Sequence, residues 1–189
     1  MRVMLLVGLA SAAGLALFPR LGVVSDGFGA ALVWLMPLAF ALHVAEEFAW
    51  PGGFAEWYVA YRPRFASAFS PAYAFRVNAY PGAAAVLVSL GVFDYRGAFS
   101  RIGITAWLTF LAVLAFNALL HLWGTVRTRS YSPGAVTGGL LYLPLAVVAF
   151  SHFVRTGAID VVSAILAVIL ASQFQRILDQ FKTRRRQTA

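Results

Sequence analysis

The sequence predicts an all-α, polytopic membrane bundle of about six helices, and three observations carry that reading. Of the 189 residues, 61% are hydrophobic and only 12% charged, about half the charge of a water-soluble domain. The mean hydropathy is +0.78. Six apolar runs, each near the ~20 residues a helix needs to cross hydrocarbon, are separated by clusters of turn residues. No polar stretch is long enough to fold as a second domain, so residues 1–189 read as a single transmembrane domain with a basic tail at about 180–189. Cysteine is absent, which excludes disulfides, thiolate metal sites and a cysteine nucleophile. Acid–base or metal chemistry is left to His, Glu, Asp, Asn and Arg.

The runs cover residues 3–18, 29–48, 71–92, 102–123, 133–154 and 158–178. The first is the shortest. Arg2 precedes it and Ala10-Ser11-Ala12 has the form of a signal-peptide cleavage site, but the apolar run continues past that point and reads as a retained span. The second ends at Trp50-Pro51-Gly52-Gly53. Between it and the third, residues 53–70 carry Phe54, Trp57, Tyr58, Tyr61 and Phe65 at helical spacing, with Glu56, Arg62 and Arg64 between them. That is an amphipathic stripe lying in an interface, either as an aromatic belt or as a lid over a site. The fifth run opens on Ser132-Pro133, a cap followed by proline at the expected first helical position. Thr156-Gly157 separates it from the sixth.

Basic residues set the orientation. With the amino terminus inside, Arg2, Arg62, Arg64, Arg76, Arg127, Arg129, Arg176, Lys182, Arg184, Arg185 and Arg186 share one side, and only Arg20, Arg96, Arg101 and Arg155 lie on the other. Both termini are therefore expected in the cytoplasm. The net charge of +8 reads as a topology anchor touching the anionic lipid of the bilayer, with no nucleic-acid partner.

Hydropathy does not explain the end of the second run. His43, Glu46 and Glu47 stand at i, i+3 and i+4, within an arc of about 100° of one helix face. Ionisable groups at membrane depth face a protein interior or a cavity, and two carboxylates at a helix carboxyl end oppose its dipole. A positive group is therefore expected beside them. By depth, the third span offers Arg76 and Asn78, and the fourth offers Asn117 and His121 on one face. His152 falls at the opposite membrane face and is excluded from this set.

His43-x-x-Glu46-Glu47 near the start of a small multi-span chain resembles the HXXEE family of bacterial integral membrane proteins. Asn117-x-x-x-His121 and the segment Arg129-Ser130-Tyr131-Ser132-Pro133-Gly134 extend that resemblance over most of the chain. It implies a helical membrane fold, a bacterial inner-membrane location and the motif itself, and no reaction.

The residues support several chemistries. In the leading one, His43, Glu47 and His121 bind zinc or iron. Glu46 then serves as base or as partner of Arg76, Asn117 as ligand or neighbour of the ligands, and Asn78 lines the pocket. The substrate is lipid-like or membrane-embedded. In a second reading no metal is needed: a glutamate is the base, and His121 with Asn117 holds water or an oxyanion. That arrangement is similar to the CAAX-type glutamate intramembrane proteases, whose first motif is Glu-Glu-x-x-x-Arg; here Pro51 occupies the Arg position. A small transporter using the buried acids is a third reading. In a fourth the polar groups pair with Arg76 only to fix helix packing.

Overall fold

The computed structural model describes residues 2–17, 26–63, 71–93 and 98–184, except for the side chains of residues 2, 3, 71–77 and 175–184. Among the described residues each of the six apolar runs is mostly helix. These are α1 (Arg2–Leu17), α2 (Gly27–Phe48), α4 (Pro71–Leu90), α5 (Arg101–Thr128), a composite rod and α8 (Val161–Arg184). The rod consists of α6 (Ala135–Thr137), a π-helical turn (Gly138–Tyr142) and α7 (Leu143–Arg155). A short helix, α3 (Phe54–Tyr61), lies in the connection between α2 and α4. Among the described residues there is no strand beyond one isolated bridge, Phe93 to Phe99.

Three of these helices are long and apolar enough to cross a membrane: α2, α5 and the rod Ala135–Arg155. Shorter apolar stretches lie at Met4–Leu17, Asn78–Leu90 and Val161–Phe174. The helix α8 runs on into the start of the basic tail. Lys and Arg there are compatible with helix because cations favour its carboxyl end; their side chains lie outside the described residues.

The centre of the bundle is α2, which packs on α1, α4 and the rod, while α5 packs on α8 and the rod. Met36, Trp107, Leu108, Leu111 and Phe153 fill the interior, each fully buried. Outward positions are apolar as well: Leu140, Val147, Val162 and Leu170 are exposed. Large apolar side chains exposed in this number are what lipid, and not water, accommodates.

Polar groups inside the bundle are matched individually. Pro37 lies within α2 and, lacking an N–H, cannot serve the carbonyl of Val33 four residues back. Ser89 of α4 does so instead, donating its hydroxyl to that carbonyl at 3.2 Å, and the Trp107 indole donates to the same hydroxyl at 3.2 Å. One serine thus joins α2, α4 and α5. Ser89→Ala is expected to lower stability by about 2 kcal/mol, since it leaves a buried N–H and a buried carbonyl unserved. Unfolding of the detergent-solubilised protein measures this, and an unchanged midpoint would remove Ser89 from the account.

At its amino end α2 is capped by Asp26, whose Oδ1 accepts the Gly29 N–H at 2.8 Å and whose Oδ2 meets His152 Nε2 at 2.6 Å. His43 lies seventeen residues further along α2, or about 25 Å at 1.5 Å per residue. His152 therefore belongs to the other end of the bundle, as its sequence position implies.

Candidate functional site

Near the carboxyl end of α2, His43, Glu46 and Glu47 are all buried, at 2%, 6% and 5% exposure. The i, i+4 spacing sets the Glu47 carboxylate against the His43 ring, with Oε1 3.5 Å from Nε2. From α5, His121 presents its Nε2 to the same oxygen at 3.2 Å. The two imidazoles meet edge to face, 5.1 Å between centroids. His43, Glu47 and His121 thus offer three ligand atoms within 4.8 Å of one another.

Each ring is also held from behind. His43 Nδ1 lies 2.9 Å from the Thr137 hydroxyl, and His121 Nδ1 lies 2.9 Å from the Ser132 hydroxyl. The Asn117 amide nitrogen is 3.2 Å from His43 Nε2. With that N–H donating, His43 Nε2 is an acceptor and the ring proton sits on Nδ1, where Thr137 accepts it. A hydroxyl on the far nitrogen holds the rotation of the ring, as the outer partners of metal-bound histidines do.

The loop carrying these hydroxyls is built locally. α5 ends at Thr128, with Arg129 in the left-handed region at φ 52°. Thr125 donates to the His121 carbonyl at 3.0 Å and accepts the Ser132 N–H at 3.1 Å, tying the loop to the turn of α5 that bears His121. Gly134 follows at φ 99°. A Cβ there would lie 2.7 Å from His43 Cε1 and 2.9 Å from His121 Cε1, so only glycine lets the backbone pass between the rings.

Glu46 anchors this loop. Its Oε1 accepts the N–H groups of Gly134 at 2.9 Å and Val136 at 3.1 Å, and its Oε2 accepts that of Thr137 at 2.7 Å. The Tyr131 hydroxyl donates to Oε1 as well. Burial, and then the Glu46 carboxylate, hold the Tyr131 phenol above its ordinary range, so it remains a donor at neutral pH. The positive group expected beside the two carboxylates is, for Glu46, the amino end of the rod, whose N–H groups have no helical acceptor of their own. Arg76, the cation anticipated for that role, has a side chain outside the described residues. Ser132 and Pro133 do not open the helix as the cap and first position. The rod begins at Ala135, because the left-handed Gly134 interrupts the backbone, and the Ser132 hydroxyl is taken by His121.

Two further aromatic groups close the site. On α3, Phe54 and Trp57 lie against the His121 ring at 5.4 and 6.1 Å between centroids. Trp57 fills the space left by Gly124, where a Cβ would come within 2.5 Å of the indole. The inner part of the aromatic stripe thus covers the site; Phe65 lies outside the described residues. In the π-helical turn Leu143 donates its N–H to Gly138, five residues back. Tyr142 of that turn is fully buried, with its ring 4.8 Å from that of His43. Its hydroxyl has no hydrogen-bond partner among the described residues.

The structure therefore brings together His43, Glu47, Asn117 and His121, with Glu46 immediately beside them. Asn78 is half-buried on α4. A family model described as a protein of unknown function with HXXEE motif matches residues 34–149. The chain belongs to the HXXEE family. The H and the paired E of that motif are His43, Glu46 and Glu47, and the matched HXXEE region also spans Asn117, His121, the anchored loop and Tyr142. Comparison with curated proteins and with solved structures gave no match. Thr137 and Tyr142 are site residues that sequence reasoning missed. The signal for Tyr142 was a hydroxyl inside an otherwise apolar run; Thr137 gave none, because threonine is ordinary in such helices.

Proposed function

We propose that this protein is a six-span membrane enzyme of the bacterial inner membrane, with both termini in the cytoplasm. In this reading it uses a divalent metal held by His43, Glu47 and His121 on a lipid-like or membrane-embedded substrate. One observation carries the metal reading: Glu47 Oε1 stands 3.2 and 3.5 Å from the two Nε2 atoms. Ligands about 2.0–2.1 Å from a tetrahedral ion lie roughly 3.3 Å apart. Two imidazoles and a carboxylate leave an open position and suit zinc; the same set suits iron(II). Bound there, such an ion supplies a Lewis acid and an activated water at neutral pH.

The chain's own residues do the rest. Thr137 and Ser132 keep both Nε2 atoms turned towards Glu47. An ion held there would take the His43 Nε2 lone pair that Asn117 otherwise bonds, which leaves the Asn117 N–H for the substrate. Phe54 and Trp57 exclude water from the His121 side and present an apolar surface to an amphiphilic substrate. Four donors on Glu46 support a positioning role for it, holding the loop that carries Ser132, Gly134 and Thr137, in place of the role of base.

Metal analysis of protein purified without added metal tests this reading. About one zinc or iron per chain is expected in the wild type, and a reduction of at least tenfold in both His43→Ala and Glu47→Gln. Equal metal content in all three would end the metal reading and leave the metal-free acid–base pair.

A further inference from the structure

Resting on the metal reading above, we infer that Tyr142, whose ring packs on His43 and whose hydroxyl is buried and unpartnered among the described residues, is the hydrogen-bond donor to the substrate, serving an oxygen that gains negative charge at the open position, as an acyl carbonyl does. Buried hydroxyls are almost always bonded, and one left alone costs on the order of 1–3 kcal/mol. Tyr142 is fully buried, its ring lies against His43, and its hydroxyl has no partner among the described residues. A phenylalanine would fill the same space without that penalty. The hydroxyl is thus explained by something that enters the site.

Its surroundings agree with this: the Tyr142 ring lies 4.8 Å from that of His43, whose Nε2 faces the Glu47 carboxylate. Tyr142 lies in the π-helical turn, four residues after Gly138, where an added Cβ would stand 4.0 Å from His43 Cε1. Turns of this kind occur frequently at functional sites. A phenol donates a hydrogen bond without adding charge to the site. That suits a neutral ester or amide whose oxygen becomes anionic in the transition state.

Acetohydroxamate, whose oxygens imitate such a group on a metal, is the probe. Its binding to the full-length, metal-loaded protein in detergent is followed by calorimetry, with metal content measured on the same samples. Tyr142→Phe is expected to keep the wild-type metal content, to unfold no earlier than wild type, and to bind acetohydroxamate about tenfold more weakly, the effect of one lost hydrogen bond. Affinity within twofold of wild type at equal metal content would overturn the inference and leave the metal reading standing. Loss of metal in Tyr142→Phe would overturn it too, by making Tyr142 part of the metal's support. Wild-type protein that binds no metal would remove both.

Discussion

Gly134→Ala is expected to abolish metal binding while leaving the helical content intact. The residue lies at φ 99°, where a side chain brings strain of about 1–3 kcal/mol. Its Cβ would also stand 2.7 Å from His43 and 2.9 Å from His121, so both rings must rotate off their hydroxyl partners. Gly157→Ala separates the two effects. Gly157 has a comparable φ of 72° and nothing within 4 Å of its Cβ position, so it carries the strain without the collision. Metal affinity should fall at least a hundredfold in Gly134→Ala and stay within about twofold in Gly157→Ala, a gap of roughly 2.7 kcal/mol. Similar affinities in the two variants would show that the loop does not press on the imidazoles.

Glu46→Gln is expected to have the second-largest effect, as a loss of both stability and metal affinity. The carboxylate accepts three backbone N–H groups and a phenol. An amide of the same shape turns an NH₂ towards at least one of those donors and removes the charge that the amino end of the rod favours. About 3 kcal/mol of stability should disappear. Metal affinity should fall with it, because Ser132 and Thr137 are positioned by the same loop. Unfolding midpoint and metal content, measured on one preparation, check this. A variant of wild-type stability that had lost catalytic turnover alone would instead identify Glu46 as the base.

Helix content was legible in the sequence because apolar runs of membrane length have few other stable forms. Each backbone group in such a run must be bonded within the protein, and a helix does this locally. The face shared by His43, Glu46 and Glu47 was legible for a similar reason: spacing within one helix fixes relative direction. The pairing of that face with Asn117 and His121 followed from alternating spans and shared depth. Placing His152 at the far end followed from the same counting.

What only the tertiary structure decided lies between helices. Glu46 and Glu47 are adjacent and chemically identical, and nothing local separates their surroundings. Glu47 faces His121 because α5 packs there, and Glu46 faces backbone N–H groups because the rod begins there. Whether Ser132 caps a helix or holds an imidazole depended on the left-handed Gly134, which passes between imidazoles from two other helices. The aromatic stripe of α3 was visible as a stripe, but its closure over His121 required the gap at Gly124. The sequence by itself thus determined the helices and the residue types available for chemistry, since both follow from contacts a few residues apart. The partner of each polar atom was decided by packing, because those contacts join residues as distant in the chain as Glu46 and Thr137, and only the assembled bundle brings them within a hydrogen bond of each other.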